Sequence, residues 1–200
     1  DNYGRAHDDL RISVTDRCNF RCFYCMPEEG MTFLPHDEIL TYEEIFRVVR
    51  ITTELGFTSY HLTGGEPLLR KDLDVLIRGM LDIQPGMDLA LTTNGVFLPR
   101  MAQRLFDAGL RRINISLDTL DETKFLLMTR RNQLSQVMEG IEAAAAAGFS
   151  PIKINAVALK NLTEEELPRF GAWARETGYI VRFIEYMPLD ADQAWNPEKV

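Results

Sequence analysis

Leu10-Arg11-Ile12-Ser13-Val14-Thr15-Asp16-Arg17-Cys18-Asn19-Phe20-Arg21-Cys22-Phe23-Tyr24-Cys25-Met26 is a short alternating strand that runs straight into a loop holding every cysteine of the protein. The three thiols are spaced C-x3-C-x2-C. An odd number of cysteines packed this closely is not a disulfide framework, which needs pairs and a small secreted chain. A shared inorganic ion or cluster is the better reading. Structural zinc closes with four ligands, usually in paired spacings; His7, His36 and His61 are scattered singly, and no fourth ligand is evident. An iron-sulfur cube takes four cysteines, so a three-cysteine site leaves one iron open. Unrelated buried or reactive thiols are the remaining reading.

Outward from this stretch the chain repeats one unit. After the loop passes Pro27, Gly30 and Pro35, Thr41 and Glu44 form a capping box, and Ile45, Val48, Val49, Thr52 and Leu55 recur at helical spacing up to Gly56. Strands are expected at Phe57 to Leu62, Met87 to Thr92, Arg112 to Leu117, Ile152 to Leu159 and Ile180 to Met187. Between them fall helices with apolar stripes at Leu73, Leu76, Ile77 and Met80, at Pro99 to Ala108, at Leu134, Val137, Met138 and Ile141, and at Leu167, Phe170 and Trp173. Strands that alternate with helices imply a parallel sheet, and every strand ends in polar residues or glycine. In a (βα) barrel such ends build the active site. The expectation is an α/β fold, a partial (βα)6 TIM-type barrel of parallel strands forming one domain over residues 1–200. A doubly wound open sheet fits the alternation equally well, and Ala143 to Ala147 reads as a helix packed closely on the sheet.

Composition excludes several classes. Apolar residues make up 46% and charged residues 26%, as in soluble globular proteins, and no apolar run approaches the roughly 20 residues of a membrane span. The net charge of -8 argues against a broad nucleic-acid surface, so an anionic ligand must be held by a few placed cations. No basic-apolar leader opens the chain, although a start at Asp1 hints at a trimmed N-terminus; unpaired cysteines fit a reducing compartment, and the expected location is cytoplasmic.

The cysteine stretch resembles the radical S-adenosylmethionine (SAM) enzymes, whose hallmark is C-x3-C-x2-C with an aromatic before the last cysteine, here Tyr24. Gly64-Gly65-Glu66-Pro67, which alone reads as a plain turn or a close backbone approach, matches the "GGE" element of the same enzymes. The resemblance implies that Cys18, Cys22 and Cys25 hold a [4Fe-4S] cluster whose open iron chelates SAM, and that one electron releases a 5'-deoxyadenosyl radical. It further implies that Gly64, Gly65 and Glu66 face the amino group of SAM, that Tyr24 contacts the adenine, and that Ser116 and Met187 are further SAM contacts. The plain alternatives are a packed aromatic, a strand-end hydroxyl and a core methionine.

Several blocks resemble one branch more closely, the molybdenum cofactor biosynthesis protein A or GTP 3',8-cyclase family. They are Asp1 to Arg5, Leu10 to Cys22, Leu62 to Arg70, Leu91 to Gly95, Ala108 to Asp118, Ile152 to Val157 and Val181 to Pro188. That likeness implies the first step of molybdenum cofactor biosynthesis, abstraction of the ribose 3'-hydrogen of GTP followed by attack on C8 of guanine. It carries GTP contacts onto Arg11, Thr92 and Lys153; a charge on an otherwise apolar strand must face a polar cavity or a partner. The implied partners are GTP, an electron donor and the downstream cofactor-biosynthesis enzyme, with no nucleic acid and no membrane, and a homodimer is left open. Two departures stand out. His61 occupies a position where the family usually has a GTP-contacting arginine, and neutral imidazole cannot make a bidentate phosphate contact. The family's second cysteine triad and glycine-tipped tail do not occur by Val200, so a fragment or a variant without guanine recognition is expected. A radical SAM enzyme with another substrate, and a silent iron-sulfur or zinc module for electron transfer or protein interaction, are the competing readings.

Overall fold

The computed structural model describes residues 2–187. Six strands, β1 (Asp9–Ser13), β2 (Ser59–Thr63), β3 (Asp88–Thr93), β4 (Arg112–Ser116), β5 (Ile152–Ala158) and β6 (Ile180–Glu185), form a single sheet. Neighbours pair in parallel, in the order β1-β2-β3-β4-β5-β6. A doubly wound sheet reverses its strand order at a switch point; this order never reverses. Strands added always on the same side are the winding of a (βα) barrel, here a partial one, and the open-sheet alternative falls.

The helices are α1 (Tyr42–Glu54), α2 (Leu73–Ile83), α3 (Leu98–Asp107), α4 (Glu122–Thr129), α5 (Leu134–Ala147) and α6 (Leu167–Thr177). The Thr41 and Glu44 capping box is present in both directions. α4 is an element that the sequence reading lacked, because its apolar residues lie outside a clear helical stripe.

Strand periodicity divides the sheet into two chemically distinct faces. Ile12, Tyr60, Leu62, Leu89, Leu91, Ile113, Ile115, Ile152 and Ile154 alternate onto one face and share a core with Val49, Leu76, Ile77, Leu105, Val137 and Ile141 of the helices. Each such side chain, fully buried, contributes about 1.5–3 kcal/mol. The other face carries, in register, Arg11 beside His61, Thr92 beside Asn114 and Asn155 beside Arg182. A closed barrel fills its interior with branched apolar side chains; this interior face is polar and lines a cavity.

Ala144 and Ala147 are buried as expected; α5 shares the core of the sheet through Val137 and Ile141 and packs most closely on α3 and the turn before it. The carbonyl of Gly95 approaches Gly140 so closely that a Cβ there would lie 2.1 Å from it. Among the described residues no helix is long and apolar enough to cross a membrane.

Candidate active site

The cysteine loop is fixed from two sides. On one side it continues the β1/β2 pairing past the end of the strands: Val14 N donates to Thr63 O at 2.9 Å, Gly65 N to Thr15 O at 2.7 Å and Glu66 N to Arg17 O at 2.7 Å. A Cβ on Gly64 would lie 2.6 Å from the Thr15 carbonyl oxygen, and one on Gly65 would lie 2.3 Å from that of Arg17. The close approach expected at these glycines is therefore made, in this structure, by the backbone of the cysteine loop. Both have ordinary backbone angles, so it is space that requires glycine here.

On the other side, the end of α4 holds the loop. Arg21 N and Phe23 N donate to Thr129 O and Met128 O at 3.1 Å each. Arg130 Nη1 donates to Arg21 O and Met26 O, and Arg131 Nε to Asn19 O, all at 3.2 Å. Phe20 meets Phe125 edge-on, with 5.7 Å between ring centroids. Within the loop, Cys25 N and Met26 N both donate to Cys22 O at 2.9 Å, a turn that carries Cys22 and Cys25.

All three cysteines line a cavity of about 260 Å³ together with Thr63, Gly64, Gly65, Glu66, Asn94, Ser116 and Asp118. None is in a disulfide. Burial pushes the Cys22 thiol up, with the nearby Asp118 carboxylate adding to it, and burial likewise raises Cys18. Among the described residues no three His, Cys, Asp or Glu side chains are gathered to hold one metal ion. The triad therefore differs from a closed zinc site, in which all ligands converge on one centre; in a polynuclear cluster each thiolate binds its own iron.

Glu66 is 1% exposed. Its Oε1 accepts from Leu68 N at 2.9 Å and Thr93 Oγ1 at 2.7 Å, and its Oε2 accepts from Asn94 N at 2.7 Å. The carboxylate thus ties the ends of β2 and β3 together. Burial outweighs these donors and raises its pKa to about 7. Asn94 continues the chain of contacts, its Nδ2 donating to Asn19 Oδ1 at 2.8 Å, while Asn19 Nδ2 is buried without a hydrogen-bond partner.

A second cavity, of about 580 Å³, lies over the polar face of the sheet and is lined by Arg11, His61, Thr92, Arg112, Asn114, Asn155 and Arg182. Tyr24, Thr63, Thr92, Ser116 and Asp118 line both cavities. Tyr24 donates from its hydroxyl to Asp118 Oδ2 at 2.5 Å, and Asp118 Oδ1 accepts from Val157 N at 2.8 Å. The Tyr24 ring also meets that of Tyr186 at 6.4 Å. Asp118 is the principal residue that the sequence reading missed. Its only sequence signal was its place at the end of β4, whereas its role depends on a partner 94 positions earlier.

A hydrogen-bonded belt crosses the floor of this second cavity. His61 Nε2 lies 2.6 Å from Thr92 Oγ1 and 3.2 Å from Asn114 Nδ2. Arg182 donates from Nη2 to Asn114 Oδ1 at 2.8 Å and from Nε to Asn155 Oδ1 at 3.0 Å. Burial, then the Arg11 guanidinium, holds His61 below the ordinary imidazole range. Lys153 is on the same face, half-buried and the register partner of Asn114; desolvation and then Arg112 lower its pKa. It does not line either cavity. Met187 is 45% exposed and likewise lines neither; its neighbour Tyr186 is the buried residue of the pair.

The family model described as the Radical SAM superfamily matches residues 12–174. The chain belongs to the radical SAM superfamily. Members of this superfamily bind a [4Fe-4S] cluster and SAM. Among curated relatives, the GTP 3',8-cyclase of Thermodesulfovibrio yellowstonii is 49% identical over 99% of this chain and 62% of its own length. That of Rhodopirellula baltica is 49% identical over 100% of this chain and 56% of its own. This radical SAM chain thus spans about three fifths of the length of those relatives. Among solved structures, methylornithine synthase superposes with a TM-score of 0.75 at 14% identity, covering 96% of this chain and 57% of its own. Streptococcus suis SuiB bound to S-adenosylmethionine superposes with a TM-score of 0.73 at 18% identity, covering 94% of this chain and 41% of its own. These two share the fold.

The residues present fit the superfamily's cofactor. Three thiols, those of Cys18 and Cys22 half-buried and that of Cys25 exposed, border one cavity, Asn19 offers an unused buried donor beside them, and the glycine pair lets the loop close on the strand ends.

Proposed function

We propose that this chain is the radical SAM core, residues 1–200, of an enzyme of the GTP 3',8-cyclase type, catalysing the first step of molybdenum cofactor biosynthesis. The observation that carries the reading is the shared wall between two cavities of opposite chemistry: one bordered by cysteines, the other by cations and amides. Such an arrangement sets a bound cofactor directly beside a polar, anionic substrate. Cys18, Cys22 and Cys25 would hold a [4Fe-4S] cluster, which together with SAM would supply the 5'-deoxyadenosyl radical chemistry that abstraction of the ribose 3'-hydrogen of GTP requires.

The protein's own residues bind and orient. Gly64, Gly65 and Ser116 border the SAM cavity, and Glu66 braces it through Thr93 and Asn94. Tyr24 stands between the two cavities, held by Asp118. Arg11 and Arg182 offer fixed cations to a triphosphate, for which guanidinium geometry is suited. Thr92 adds a hydroxyl at the junction, and Lys153 adds charge on the same face of the sheet. Met187 keeps its SAM-contact role only by resemblance. An electron donor and a downstream enzyme complete the proposed partners, in the cytoplasm.

A second reading, a radical SAM enzyme acting on another substrate, is favoured by His61, which stands where a permanent cation is expected. The test is GTP deuterated at the ribose 3' position, incubated with the reconstituted chain, SAM and reductant. Deuterium appearing in 5'-deoxyadenosine supports the GTP reading. 5'-Deoxyadenosine formed at the same rate without GTP, and free of deuterium with it, favours the second.

A further inference from the structure

We propose that His61 couples anion binding in the 580 Å³ cavity to proton uptake: a polyphosphate entering beside Arg11 and Arg182 converts the imidazole to imidazolium. The inference deepens the polyphosphate reading above and rests on it.

The first support is the charge facing His61. From β1 come Arg11, its register neighbour, and Asp9, which accepts from Ser59 Oγ at 2.8 Å. β3 supplies Thr92 and, at its start, Asp88, which is paired with Arg112 of β4. Beyond β4, both oxygens of Asp118 are taken by Tyr24 and Val157. β5 adds Lys153 and β6 adds Arg182. Cations therefore outnumber uncommitted carboxylates around the ring, and without an anion they disfavour its charged form. A bound polyphosphate reverses the local potential and favours the charged ring.

The second support is that the same neighbours satisfy both protonation states. Arg182 donates to Asn114 Oδ1, which turns the Asn114 amide nitrogen toward His61 Nε2, at 3.2 Å. In the neutral ring Nε2 accepts. In the charged ring Nε2 donates to Thr92 Oγ1, 2.6 Å away, the Asn114 amide nitrogen donates to the same hydroxyl oxygen, 3.4 Å away, instead of to the ring, and the Thr92 hydroxyl proton turns into the cavity. Arginine at this position carries its charge at every pH; histidine carries it when the anion is present.

The sign follows from linkage: if binding takes up a proton, affinity rises as pH falls, by up to about tenfold per pH unit for one proton. The experiment is calorimetric titration of the chain with inorganic tripolyphosphate between pH 6 and 7.5, in paired buffers of different ionisation enthalpy. Wild-type protein is expected to take up protons on binding, His61→Gln to lose that uptake and bind more weakly at pH 6, and His61→Arg to bind tightly with little pH dependence. Protonation of tripolyphosphate itself is common to all three proteins and cancels in the comparison. Equal proton uptake by wild type and His61→Gln, both binding, overturns the proposal while leaving the polyphosphate reading intact. No binding of tripolyphosphate by wild type or His61→Arg overturns both.

Discussion

Glu66 illustrates how a motif residue can be legible in kind and not in role. Its place after two glycines marks it as a motif glutamate, which by resemblance faces a ligand; the structure gives both of its oxygens to protein donors. Glu66→Gln leaves Asn94 N–H opposite an amide group and should cost about 1–3 kcal/mol, the usual penalty for a buried unpaired polar group. The pH dependence has a definite sign. A carboxyl group raised from 4.5 to about 7 on folding binds its proton more tightly in the folded state. Its contribution is fully present below pH 4.5 and is lost as pH rises through 7. The stability gap between wild type and Glu66→Gln, measured by urea unfolding of the metal-free chain, should therefore be larger at pH 5 than at pH 8, by up to about 3 kcal/mol. A gap independent of pH contradicts this.

The loop and the elements that grip it follow a different logic. The strands, the capping box at Thr41 and the stripes of α1, α2, α3 and α5 were readable because each is a local period. α4 was not, because what it buries is largely the cysteine loop more than 100 residues earlier, through Phe125, Thr129, Arg130 and Arg131. The polar face of the sheet was half legible: Arg11 and Lys153 stood out as charges among apolar neighbours. Asn114, Asn155 and Arg182 gain their meaning only from register across strands. The glycine pair gives a prediction at this scale. In Gly65→Ala the new methyl meets the Arg17 carbonyl at 2.3 Å, with no backbone-angle penalty to confuse the result. Over-packing of this kind costs about 1–3 kcal/mol, and because the displaced segment carries Cys18, iron content after reconstitution should fall with the melting temperature. Wild-type iron and melting temperature in that variant would show that the loop does not need the close approach.

At the scale of the whole molecule, an unreversed six-strand order puts the strand ends on one rim and the core helices α1, α2, α3 and α5 behind one apolar face, leaving the other face free for polar work. The cysteine loop caps that rim, and the cavity beneath it opens onto the cation-lined one. The account therefore stands on three thiols serving a cluster with an open iron. The direct measurement is anaerobic reconstitution with iron and sulfide, metal analysis, then dithionite and SAM. The chain should carry about four irons and form 5'-deoxyadenosine, and Cys22→Ser, which leaves two thiolates, should do neither. Stoichiometric zinc without iron in wild type, or wild-type iron and 5'-deoxyadenosine from Cys22→Ser, would contradict it.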